Sequence, residues 1–169
     1  MSRLNVDQIY TRTGTGSPAI REMPAFRATL STDQSFSSAA ITVVEFDTVT
    51  GEGRFDTNNW FNTTTHRYTP QTAGYYWIGG TLRITGTGIA RYGVFVYKNG
   101  TNYLQGSLIN TTSTNNPSSV SSSTMLYLNG STDYVELAGY AIATSPTFNF
   151  SATPAGGSNV FEGFLVRPD

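Results

Sequence analysis

Residues 92–109 read YGVFVYKNGTNYLQGSLI. Val94 and Val96 point one way and Phe95 and Tyr97 the other, the period of two that a strand demands. Asn99-Gly100 then sits between alternating segments. Both residues tolerate the left-handed backbone of a tight primed turn, so the chain is expected to fold back on itself as a hairpin. The return strand is expected over 102–109.

The same period recurs along the chain. Phe26, Ala28 and Leu30 share a face, with Arg27 and Thr29 on the other. Strands are expected over 41–46, at Tyr68, and over 74–85, 120–128, 134–142 and 159–166. The 74–85 run carries Gly79 and Gly80, which predict a bend or a close backbone approach. A second Asn-Gly, Asn129-Gly130, is expected to join 120–128 to 134–142. The loop from Asn110 to Ser119 is polar and holds Pro117, so it is expected on the surface.

Composition agrees. Of 169 residues only 12% are charged, about half the usual share, while 13% are aromatic. Thr, Val, Tyr and Phe favour strands; Gly, Asn, Ser and Pro interrupt them. The reading is all-β, a sandwich or barrel.

Charge and residue counts exclude several functions. Net charge is −1 and the one lysine is Lys98, so the clustered positive field of a nucleic-acid binder is missing. There is no cysteine and a single histidine, His66, which leaves no thiolate or multi-histidine metal site. No apolar run approaches the ~18 residues of a membrane-spanning helix. No apolar stretch near Met1 reads as a secretion signal. No cofactor is expected: Gly14-x-Gly16 and Gly86-x-Gly88 do not open a helix, so neither cradles a phosphate.

Catalysis finds no constellation. His66 has no nucleophile motif such as Gly-x-Ser-x-Gly to serve, and reads as a surface histidine. Asp47, Glu52 and Asp56 fall close together; they read as solvated loop acids, with a calcium site as the other reading. The chain is expected not to be an enzyme.

The order of certain residues resembles a known family. Asp56, Phe61, Tyr68, Gly74 and Tyr76 follow the signature spacing of the globular heads of the first complement component, which share a jelly roll with tumour necrosis factor. Phe26-x-Ala-x-Leu resembles that family's first strand, and Val94 to Gly100 its central one. Leu126 to Leu137 resembles its penultimate hairpin, and Phe161-Glu-Gly-Phe-Leu its closing strand. The match departs at Thr50, Tyr68, Ile78 and Gly80, where the family carries aromatics, Phe in place of Tyr68. The resemblance implies a ten-stranded jelly roll over 24–169 that assembles as a homotrimer. The expected trimer contacts are Tyr75, Tyr76, Trp77 and Ile78, of which alternation sends one pair inward and one outward.

Residues 1–23 form a short extended arm whose large apolar groups, Leu4, Val6, Ile9 and Tyr10, are candidate anchors. Val6-Asp7-Gln8-Ile9, followed by Arg12-x-Gly-x-Gly-x-Pro18, resembles the openings of phage structural proteins, cyanobacterial phages especially. That resemblance implies a virion component, made in a bacterial cytoplasm and joined to other virion proteins as a head-decoration or fibre-knob protein. The alternative is a tail-fibre module recognising a host surface glycan, with Trp60, Asn115 and Asn116 as candidate contacts.

Overall fold

The computed structural model describes residues 23–111, 118–144, 148–152 and 159–169. Leu4, Val6, Ile9, Tyr10, Asn115 and Asn116 lie outside them.

The described residues hold thirteen strand segments and no helix. They form two antiparallel sheets packed face to face. In the first, the long strand β7 (Ala73–Gly86) is central. β10 (Ser118–Asn129) runs along one side of it, from Ala73 to Ile84. Its other side is shared by β13 (Val160–Pro168) and the short β12 (Phe148–Phe150). Beyond β13 lie β1 (Ala25–Thr29) and then β4 (Phe55–Asp56); beyond β12 lies β2 (Gln34–Ser35). The second sheet runs β5 (Phe61–Asn62), β6 (Arg67–Tyr68), β11 (Val135–Ala143), β8 (Ile89–Lys98), β9 (Thr101–Asn110), with β3 (Ile41–Val43) also on β11.

The opening hairpin forms as its residues dictate. β8 and β9 are joined by Asn99 (φ 53) and Gly100 (φ 73), both left-handed, as a two-residue primed turn requires. The second Asn-Gly behaves differently. β10 belongs to the first sheet and β11 to the second, so Asn129-Gly130 opens a crossing between sheets rather than a hairpin. The cause is local: Asn129 Oδ1 accepts the amides of Ser131, Thr132 and Asp133, each at 3.0 Å, and winds the chain out of line.

The core lies between the sheets. Phe26, Tyr68, Phe61 and Phe161 cluster there, with Phe26 stacked on Tyr68 at 4.1 Å and edge-on to Phe161 at 4.9 Å. A second aromatic knot, Phe36 stacked on Phe150 at 4.0 Å with Phe148 edge-on, fills the other end. Gly79 and Gly80 leave the register of β7 with β10 unbroken. They allow close approach: a Cβ at Gly80 would strike the Val160 carbonyl and Leu137, and at Gly79 it would meet the Trp77 ring at 2.8 Å. The stretch expected as a strand over 41–46 is regular only to Val43; Val44, whose amide still donates to the Leu137 carbonyl at 2.9 Å, and Phe46 are fully buried and plug the core.

Candidate functional site

Alternation along β7 splits the expected contact quartet. Tyr76 and Ile78 are fully buried in the core, so they are packing residues. Tyr75 and Trp77 face out. The same parity on β10 sends Leu126 and Leu128 inward and Met125 and Tyr127 outward. On β13 it buries Phe161 and Leu165 and exposes Phe164.

Register lines these outward residues up. Met125, Trp77 and Phe164 form one row across β10, β7 and β13, and Tyr127 and Tyr75 the next. Trp77 stacks on Phe164 at 5.5 Å, and Tyr75 meets Tyr127 edge-on at 5.5 Å. Met125 is 55% exposed and Phe164 46%. Phe55 on β4 is exposed beside them, and a slot of about 270 Å³ opens between Phe55, Trp77 and Phe164. The other end of this face is polar, with Thr81 and Ser121 hydroxyls 2.9 Å apart and an Arg27–Glu162 pair at 3.5 Å. The result is a solvent-facing aromatic patch on one end of one sheet. Of this patch the sequence reading names Tyr75 and Trp77. Met125, Tyr127 and Phe164 were legible too, since each alternates with a residue that parity sends into the core.

Trp60 is not a free surface ring. It packs partly against the core, 6.5 Å from Tyr68, and lines a groove of about 380 Å³ with Met23, Pro24, Leu165 and Pro168. His66 is partly buried rather than loose on the surface. Its Nδ1–H donates to the Phe46 carbonyl at 2.9 Å and ties its turn, where it sits at φ 62, to the core.

The three acids do not converge on one point. Asp47 accepts the Ser31 amide at 2.8 Å and the Thr48 hydroxyl at 2.9 Å, and also bonds the Ser31 hydroxyl. Asp56 accepts the Phe61 amide at 2.7 Å. Both are loop braces. Among the described residues no three His, Asp or Glu side chains gather as a metal-ligand set. The signature residues Asp56, Phe61, Tyr68 and Tyr76 thus build the core and its loops rather than a reaction centre.

A buried polar pair deepens the point. The Tyr76 hydroxyl donates to the Thr72 carbonyl at 2.8 Å, and burial pushes its pKa up to about 12. The Tyr68 hydroxyl is fully buried with no partner, and burial, then the neighbouring Tyr76 and Asp56, hold its pKa far above the ordinary tyrosine value.

No family model matches the sequence, and no curated protein does. Solved structures do. The globular domain of zebrafish complement 1qA protein superposes with a TM-score of 0.60 at 19% identity, over 86% of this chain and 99% of that one. An Eiger TNF from S. frugiperda gives 0.62 at 12% identity, over 88% and 96%. Murine APRIL gives 0.59 at 11% identity, over 86% and 100%. At such identities the likeness is one of fold, and the fold of this chain is the two-sheet jelly-roll sandwich of those domains.

Proposed function

We propose that the chain is a non-enzymatic homotrimer that serves as a structural protein of a phage virion, a head-decoration or fibre-knob protein. The observation that carries the reading is the outward row Met125–Trp77–Phe164 with Tyr75 and Tyr127 beside it. A chain with so few charges keeps a patch like this in solution by covering it with copies of itself. Because the patch occupies one end of one sheet, a closed ring of subunits covers every copy of it and leaves none to nucleate fibres. Three is the number implied by the resemblance carried by Asp56, Phe61, Tyr68, Gly74 and Tyr76.

The arm supplies attachment. It joins the sandwich at Met23 and Pro24, and Leu4, Val6, Ile9 and Tyr10 bind other virion proteins. The virion setting draws its support from the 6–9 and 12–18 motifs. The non-enzymatic reading draws support from the occupied side chains of His66, Asp47 and Asp56. A tail-fibre role with a host glycan as partner draws its support from the second sheet, whose outward face is aromatic as well.

Light scattering on the full-length protein is expected to give three chains per particle. Deleting residues 1–22 is expected to abolish binding to the virion and leave the trimer intact. Single chains in solution overturn the assembly, and undiminished virion binding by the truncated trimer overturns the anchor.

A further inference from the structure

The outward face of the second sheet is not built as an ordinary solvent face. Phe95 and Ala138 are opposite each other on β8 and β11, 4% and 0% exposed, yet neither belongs to the core between the sheets. Their neighbours Val94, Val96 and Leu137 point into that core, so Phe95 and Ala138 point away from it. Two rows of side chains tile this outer surface. Gly93 pairs with Tyr140, which pairs in turn with Ile41 on β3. Tyr97 follows Phe95 along β8, and Tyr103 on the neighbouring β9 is 50% exposed. A polar surface would have needed none of these rings.

The charges on this face are unequal. Arg67 is matched by Glu136 at 2.8 Å and lies 4.1 Å over the Tyr134 ring. Arg91, two residues before Gly93 and on the same side of β8, joins no ion pair among the described residues, and its Nε is buried without an acceptor. The platform therefore offers flat rings at one end and an unmatched guanidinium at the other.

We propose that this face docks an acidic polysaccharide, its sugar rings stacked on Tyr97, Tyr103 and Tyr140 and a uronate carboxylate paired with Arg91. The apolar C–H faces of pyranose rings suit tyrosine rings, of which Tyr103 is half-exposed and Tyr97 and Tyr140 partly so. A carboxylate pairs with the partly exposed Arg91 guanidinium as the charge partner that the chain does not supply among the described residues. The inference rests on the reading that other copies cover the first sheet, since that leaves the second sheet turned outward.

The test passes full-length protein over immobilised polygalacturonate and, in parallel, over dextran. Retention on polygalacturonate alone is expected, falling as salt rises. Arg91→Gln is expected to weaken it about tenfold or more. Tyr103→Ala, at a half-exposed site that the fold does not need, is expected to weaken it several-fold. No retention, equal retention on dextran, or unchanged retention by both variants overturns the proposal. Light scattering on the same samples reads the trimer separately, so a failed assembly and a failed docking face are told apart.

Discussion

Tyr68 holds a hydroxyl in a place built for a hydrocarbon. Its ring stacks on Phe26, and the family that the sequence resembles carries Phe at this point. The oxygen has no partner, so it brings the cost of desolvation without a hydrogen bond in return. Tyr68→Phe is expected to stabilise the fold by about 1 kcal/mol and raise the melting temperature by about 2–4 °C, measured by calorimetry. A lower melting temperature would mean that the hydroxyl is satisfied in solution. The two buried tyrosines also set the alkaline limit. Each folded-state pKa stands above its unfolded value of about 10. The unfolded chain therefore releases these protons first. Their contribution is whole below about pH 10 and is lost as pH climbs past it, toward about 12 for Tyr76. Melting followed from pH 9 to 11 is expected to show that decline, and Tyr68→Phe to flatten it. Tyr68 was visible in the sequence as a departure from a signature. That its oxygen is stranded was not, because it depends on four elements converging around one ring.

The element scale shows how far alternation reaches. β1, β7, β9, β10, β11 and β13 stand within a residue or two of their expected ranges, and β8 begins three residues before Tyr92, because each is long enough for a period of two to declare itself. The pieces β2, β4, β5 and β12 hold two or three residues, and their partners rather than their own patterns make them strands. The crossing after β10 reads as a hairpin in the sequence for a related reason. Asn-Gly reports a turn but not which sheet receives the next strand. What holds that crossing beside the true hairpin is Asp133. It accepts Asn99 Nδ2 at 2.8 Å, Lys98 Nζ at 2.9 Å and the Asn129 amide at 3.1 Å, linking the two Asn-Gly turns. Burial alone would raise its pKa; the bonds from Asn99, Lys98 and Asn129 outweigh burial and lower it. A depressed carboxylate stabilises the fold above its unfolded pKa and loses that effect as pH falls below about 4. Asp133→Ala is expected to cost about 2 kcal/mol in urea unfolding at pH 7, since it removes charge-assisted hydrogen bonds from three donors to a carboxylate that is itself buried. The deficit is expected to shrink in acid. A cost that stays constant down to pH 3 would show that Asp133 acts by packing and not by charge.

At the scale of the molecule, two outward faces have to be accounted for, and their chemistry differs. The first sheet carries a contiguous apolar row with a slot beside it; the second carries tyrosines and an unmatched arginine. Composition already implies that a sparsely charged aromatic chain seeks a partner. It could not say which face, because that depends on register between strands remote in sequence, such as β10 and β13 meeting on β7. Phe164→Glu separates the two faces. Phe164 is exposed in the single chain, so the substitution leaves the fold of one subunit in place. In a ring that covers the row, it buries three unpaired carboxylates, each costing several kcal/mol. The expected result is a folded protein of one-third the parent mass. Ile41→Glu, on the outward face of the second sheet, is expected to remain trimeric. The parent's melting temperature is expected to rise with protein concentration, as mass action requires of a stability shared among subunits, and that of Phe164→Glu to be independent of it. A stable trimer of Phe164→Glu, or dissociation by Ile41→Glu instead, would place the subunit contacts on the second sheet.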